Sequence, residues 1–344
     1  MRIDLDANVR KRFHSLCEEV FDSGFLSDGP MLRRFEAVFS ELSGLNAVAV
    51  CNGGAALQAL FERIGVSGRE VIVPANTFWA TAAAARRAGG RLVYADCERD
   101  DLCMSLDDLQ RKTGPNTAAV CITHIGGHIA FRIEEIAEFC RSRDIPLVED
   151  CAHAHGATFK GRSAGSWGMA GAYSFYATKT MPLGEGGMIV TSNTELEEWL
   201  KRHRNYGKIV ENGSVRYTSP DGFNYRMNEI TAALGLAQAE SLPAVLEWKR
   251  TLAAKYDQIF ENRVRLPQGM RSGYYKYIVF DQELTEETGK VFARSDFGNE
   301  IEGVACDLPN SWWVAEHHRC APIWHGWDGA VLGVRELKQR LIPG

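Results

Sequence analysis

AAVCITHIGGHIAFRIEEIAEFCRSRDIPLVEDCAHAHG, residues 118–156, holds one complete strand–helix–strand unit. Residues 118–123 are a short apolar run, residues 133–143 carry apolar side chains at helical spacing, and residues 146–148 are a second apolar run. Short runs rich in β-branched residues that alternate with helices specify parallel strands buried on both faces. Upstream the same unit repeats, with expected strands at 47–50, 71–74 and 91–95 and expected helices running to about 64, at 77–87 and at 106–112. Right-handed crossovers then bring every carboxyl end to one edge of the sheet, where ligands bind.

Past Gly171 the pattern changes. Residues 172–176 and 188–191 read as strands joined by a glycine-rich loop, and 236–260 as a long helix leading into a smaller lobe that contains 274–280. The fold class expected is α/β, a mostly parallel central sheet with helices on both faces plus a smaller C-terminal α/β lobe. The division expected is a large domain over 1–240, with an N-terminal arm over about 1–25, and a small domain over 241–344.

The 344 residues are 45% hydrophobic and 24% charged, ordinary for a globular chain. A net charge of −5 argues against a nucleic-acid partner. No stretch approaches the ~20 apolar residues that span a bilayer. The opening MRIDLDANVRKRFHSL lacks the apolar centre of a signal peptide. Nine cysteines without a CxxC spacing read as reduced thiols, so a cytoplasmic location is expected.

Three segments carry chemistry. Ser174-Phe-Tyr-Ala-Thr-Lys179, followed by Gly184-Glu-Gly-Gly187, places a lysine in a loop at the ligand edge. Such an amine becomes a nucleophile when its pKa is lowered, although most lysines are solvated surface groups. Asp150 ends an apolar strand, where a buried acid needs a partner; it can equally cap the next segment. With His153 and His155 it forms a possible metal set, but no further ligand motif accompanies it. Asn52-Gly53-Gly54-Ala55, between a strand and a helix, offers backbone N–H groups to a phosphate, to which Ser174 can add a hydroxyl.

With Trp79 these pieces stand in the order expected of pyridoxal-phosphate (PLP) enzymes of fold type I. The chain resembles the DegT/StrS-type sugar aminotransferases in GREVIVPANTFWATAAA, VEDCAHAHGATFKGRSAGSWG, AYSFYATKTMPLGEGGMIVT, RNYGK and GFNYRMNEITAALGLAQ, over about residues 25–245. The resemblance implies that Lys179 carries PLP as a Schiff base and moves protons during transamination. It implies that Asp150 pairs with the ring nitrogen, that Trp79 stacks on the ring, and that Ser174, Gly54 and Ala55 hold the phosphate. Asn224 would reach the phosphate of a neighbouring subunit, making a homodimer with shared sites. Glu185 would lie near the sugar.

Two departures stand out: Gly54 where the family commonly has threonine, and His153 where a glutamine often packs near the O3′ atom of PLP. His153 retains hydrogen-bonding capacity and adds a titratable group. Arg86, Arg162 and Arg226 are positional candidates for a nucleotide diphosphate. The resemblance fades after about residue 265, and SWWVAEHHRCAPIWHGWD (311–328) reads either as lobe packing or as a pocket wall.

The activity implied is transfer of an amino group from an amino acid, L-glutamate in the family, to a keto-sugar, most often nucleotide-linked. A keto-cyclitol acceptor stays open. A PLP-dependent sugar dehydratase would carry histidine in place of Lys179, and a non-catalytic binding module would lack Lys179 or Asp150. A metal-dependent hydrolase would rest on Asp150, His153 and His155; no metal is expected.

Overall fold

The apolar runs pair as their burial requires. The computed structural model describes residues 5–218, 222–293 and 307–343. Helices α1 (Ala7–Ser23) and α2 (Pro30–Ser43) precede β1 (Asn46–Val50), α3 (Gly53–Ile64), β2 (Glu70–Pro74), α4 (Trp79–Arg87), β3 (Arg91–Ala95), α5 (Leu106–Lys112) and β4 (Thr117–Thr123). Then follow α6 (Ile133–Ser142), β5 (Leu147–Asp150), the short β6 (Thr158–Phe159) and β7 (Arg162–Ser163), β8 (Ala170–Ser174), β9 (Gly187–Thr191) and α7 (Thr194–His203). A hairpin, β10 (Lys208–Glu211) and β11 (Ser214–Tyr217), leads to α8 (Glu229–Tyr256). The chain ends through β12 (Met270–Arg271), β13 (Tyr277–Phe280), α9 (Pro309–His317), β14 (His318–Ala321) and α10 (Val334–Leu341).

Seven strands form the central sheet in the order β1-β9-β8-β5-β4-β2-β3. The β8–β5–β4–β2–β3 pairs are parallel, and β9 alone runs against both its neighbours. Alternate strand residues feed two apolar layers. Ala47, Ala49, Ile122 and Val190 pack with α1, α2, α6 and α8, whereas Val48, Val50, Cys121 and Ile189 pack with α3, α4 and α7. A third cluster joins the end of α8 to β13, β14 and α10 in the C-terminal lobe.

Three expectations shift. The segment read as an N-terminal arm is helical from Ala7, capped by Asp6, whose side chain accepts from the Asn8 N–H. The strand expected at 172–176 is Ala170–Ser174, because its ladder to β5 starts at Ala170 and Phe175 already turns into the loop. Within the segment 274–280 of the smaller lobe, a strand begins at Tyr277, where the ladder to β14 starts. The helix expected at 236–260 runs from Glu229 to Tyr256 through Pro243, and Asn228 caps its start by accepting from the Thr231 N–H.

Candidate functional site

The carboxyl ends of β1, β5 and β8 each deliver one part of the candidate site. After β1, Asn52 is extended; its Oδ1 accepts from the Ala55 N–H at 2.8 Å and its carbonyl from the Ala56 N–H at 3.1 Å. Among the described residues this leaves the N–H groups of Gly53 and Gly54 without a protein acceptor at the positive end of α3. Ala55, expected to help hold a phosphate, already donates to Asn52.

The glycines are set by close approach. A Cβ on Gly53 would stand 2.8 Å from the Ser174 Cβ, and one on Gly187 would stand 2.4 Å from the Asn52 carbonyl oxygen. Ser174 therefore sits directly beside the start of α3. Unpaired N–H groups at a helix start beside a serine hydroxyl are the chemistry that binds an anion such as a phosphate.

Asp150, at the end of β5, is 5% exposed. Its Oδ2 accepts from the Thr81 hydroxyl at 2.7 Å and its Oδ1 from the Ala152 N–H at 3.0 Å. The Thr77 hydroxyl bonds those of Thr81 at 2.9 Å and Thr123 at 2.8 Å, so a buried relay fixes the carboxylate from behind. Thr81→Val keeps the shape and deletes the donor. It is expected to cost about 1–3 kcal/mol, measured as a lower urea midpoint; a parental midpoint would show that the relay adds nothing.

Lys179 stands in a loop folded on itself, with the Phe175 N–H donating to the Gly186 carbonyl, Ala177 to Gly184 and Lys179 to Tyr176. Burial pushes its amine down to about 8; Asp150 opposes the shift and the charge on Lys276 adds to it. Near neutral pH a useful fraction is therefore the nucleophilic free amine. The nitrogen lies 4.9 Å from the ring centre of Tyr275.

His153 stacks on that same ring at 4.1 Å and 23°, and its Nδ1 accepts from the Gly126 N–H at 3.4 Å. Burial first, then Lys179 and Lys276, hold it well below its ordinary value, so it is a neutral ring with its proton on Nε2. His155 instead lies among Tyr173 and Phe175, and burial pushes it down to about 3.

Asp150, His153 and His155 do not come together as metal ligands. Among the described residues only His124, Glu149 and Cys151 bring ligand atoms within reach of one another. Glu149 is already saturated: it accepts from the N–H groups of Gly165, Trp167 and Gly168, each at 2.7 Å, and pairs with His124 at 2.8 Å. Burial pushes the Cys151 thiol up, away from the thiolate a metal needs. This is a structural knot.

The remaining candidates scatter around the rim. Trp79 packs into the apolar layer of α3 and α4, while Phe78 just before it is 69% exposed at the edge. Glu185 and Asn224 are exposed. Asn224 forms a bridge with Asn205, and Arg226 donates to the Asn205 side chain at 2.6 Å and lies over Tyr206. Arg162 lies over Trp167 at 3.9 Å, and Arg86 is in the last turn of α4. In 311–328, Trp313 takes Arg99 on its face, Ser311 donates to Asp96, and Trp327 is in the core of the C-terminal lobe. That segment packs the lobes together.

Reasoning from sequence missed Phe78, Thr81 and Tyr275. Phe78 and Thr81 flank a residue that was chosen, and only the packing separates their roles. Tyr275 comes from the segment before β13, and nothing in its own sequence ties it to residues 153 and 179.

The model of the DegT/DnrJ/EryC1/StrS aminotransferase family matches residues 7–291. The chain is 34% identical over 288 residues to GDP-perosamine synthase of Vibrio cholerae, covering 81% of this chain and 77% of that one. It is 32% identical over 283 residues to dTDP-4-dehydro-2,3,6-trideoxy-D-glucose 4-aminotransferase of Saccharopolyspora spinosa, covering 76% and 73%. The crystal structure of the aminotransferase TlmJ from Streptoalloteichus hindustanus superposes with a TM-score of 0.81 at 28% identity, covering 95% of each chain.

Proposed function

The chain belongs to the DegT/DnrJ/EryC1/StrS aminotransferase family and is a PLP-dependent sugar aminotransferase; from that premise we propose that it moves the amino group of L-glutamate to the keto carbon of a nucleotide-linked sugar. The observation that carries this reading is convergence. A cradle with free N–H groups, a fixed carboxylate and a lysine amine lowered to about 8 meet at one sheet edge.

These residues fit PLP by their chemistry. Gly53, Gly54 and Ser174 would take the phosphate, with Ala55 behind them. Asp150 would face the ring nitrogen, and His153 would offer its Nε2–H to the O3′ oxygen. Of the two aromatics at the start of α4, Phe78 is free to cover the ring and Trp79 supports it from the apolar layer. When bound, PLP supplies an electron sink beside the substrate carbon.

The protein's own work is the rest. Lys179 carries the group, then takes and returns a proton at its Nζ. Asp150 holds its charge in place because Thr81 and Ala152 leave its carboxylate little freedom. Glu185 and Arg226 at the rim would meet the sugar. Asn224, exposed beside Arg226, would complete a second subunit's cradle, making the working unit a homodimer. Residues 1–240 would form the cofactor domain and 241–344 the small one, in a cytoplasmic enzyme. Among the described residues no helix is long and apolar enough to cross a membrane.

Added PLP is expected to give a visible absorbance band, and borohydride is expected to fix the label to the peptide containing Lys179. L-Glutamate should bleach the band with release of 2-oxoglutarate. Label on a different lysine, or no band, would overturn the assignment of Lys179.

A further inference from the structure

The segment between β12 and β13 is docked onto the large domain by its backbone. Gly273 N–H donates to the Gly127 carbonyl at 2.8 Å and Lys276 N–H to the Gly126 carbonyl at 2.9 Å, while the Ser272 hydroxyl also donates to Gly127. Gly127 has φ +107°, and a Cβ there would stand 2.4 Å from the Tyr275 nitrogen. Only glycine allows this approach. The docking turns the Tyr275 side chain into the site.

There the ring makes three contacts. It stacks on His153 at 4.1 Å. Its hydroxyl bonds the Thr178 hydroxyl at 3.2 Å, one residue before the reactive lysine. Its ring centre lies 4.9 Å from Lys179 Nζ, and 5.5 Å from the nitrogen of Lys276, whose amine donates to the Thr288 carbonyl.

We propose that Tyr275 is a positioning residue of the lysine centre: supplied by the chain's C-terminal part, it tethers the Lys179 loop at Thr178, covers the amine from water and fixes the plane of His153. The proposal rests on the assignment of Lys179 above. The ring does no chemistry itself. A free amine must present its lone pair in one direction, and a four-carbon side chain does so only when its loop and its surroundings are fixed. One rigid ring touching both neighbours achieves this at little entropic cost.

The charged and titratable groups around the amine are Asp150 at the end of β5, His153 and His155 in the following loop, and Lys276 beside Tyr275. Burial is the largest cause of the lowered amine. Removing the ring admits water, so the amine should rise toward its ordinary value.

The test uses the full chain and three variants, Tyr275→Phe, Tyr275→Leu and Tyr275→Ala. In the cofactor-free protein, Lys179 is pulse-labelled with acetic anhydride across pH and quantified by mass spectrometry. The parent should show a midpoint near 8, Tyr275→Phe the same, and Tyr275→Leu and Tyr275→Ala a higher one. In the holoenzyme, kcat should fall by roughly 10²-fold for Leu and Ala with KM nearly constant, and Phe should recover most of the loss. An unmoved midpoint in Leu, the better space-filler, together with parental kcat or with a loss confined to KM or to melting, would overturn the proposal. Failure of borohydride to fix PLP to Lys179 in the parent would instead overturn the assignment of the lysine.

Discussion

Lys179→Ala is expected to fold as the parent does and to lose at least roughly 10³-fold in turnover, because in the proposed function nucleophile and proton carrier are the same nitrogen. The nearest other amine, Lys276, is committed to the Thr288 carbonyl and lies across the Tyr275 ring, so it does not replace the lost one. Folding tolerates the change since the parent's amine is held in poorly solvated surroundings, and the variant no longer has to place an ionisable group there.

The sign of its pH dependence is a second readout. The folded amine titrates at about 8 against an ordinary 10.5, so between these values the unfolded chain binds more protons. Stability of the cofactor-free parent should therefore gain from this group as pH rises from 8 toward 10.5. Lys179→Ala should lack that gain. Turnover within tenfold of the parent (about 1.4 kcal/mol in the barrier) would remove Lys179 from the reaction.

Glu149→Ala is expected to lower stability by about 3–5 kcal/mol and the melting temperature by roughly 10 °C. Its carboxylate is fully buried and accepts from three backbone N–H groups and His124, of which Gly165, Trp167 and His124 are themselves buried. Glu149→Gln keeps one acceptor oxygen and should fall between the two. Since Glu149 directly precedes Asp150 on β5, melting and activity should fall together across the series. A parental melting temperature for the alanine variant would show that the knot is not needed.

The sheet was legible because its strands are buried on both faces and so read as continuous apolar runs. Asp150 was legible for the same reason: a carboxylate at the end of such a run is conspicuous. What escaped reading depends on distant partners. Glu229 is charged, yet it is buried as the first residue of α8, where apolar periodicity does not register it; the helix was placed seven residues late. Trp79 was read as the stacking residue; in the structure it packs with Ala82 and Ala85 against the apolar layer, while Phe78 beside it is exposed. Two adjacent aromatics carry no local mark that separates them. Tyr275 is invisible for a stronger reason, since its direction is set by a glycine pair nearly 150 residues earlier in the chain.

Glu229 also bears on how the chain is made. Its carboxylate receives the N–H groups of Gly29, Met31 and Leu32 at the start of α2, across sequence separations of 200, 198 and 197 residues. A ribosome delivers α2 first and its acceptor only after the whole central sheet has been made. Until then the start of α2 has no partner, and the closure of so long a loop is an entropic cost that local structure does not offset. The first helices to leave the exit tunnel are thus among the last to find their seat, and the nascent chain depends on the β-strands between α2 and α8 to hold its place.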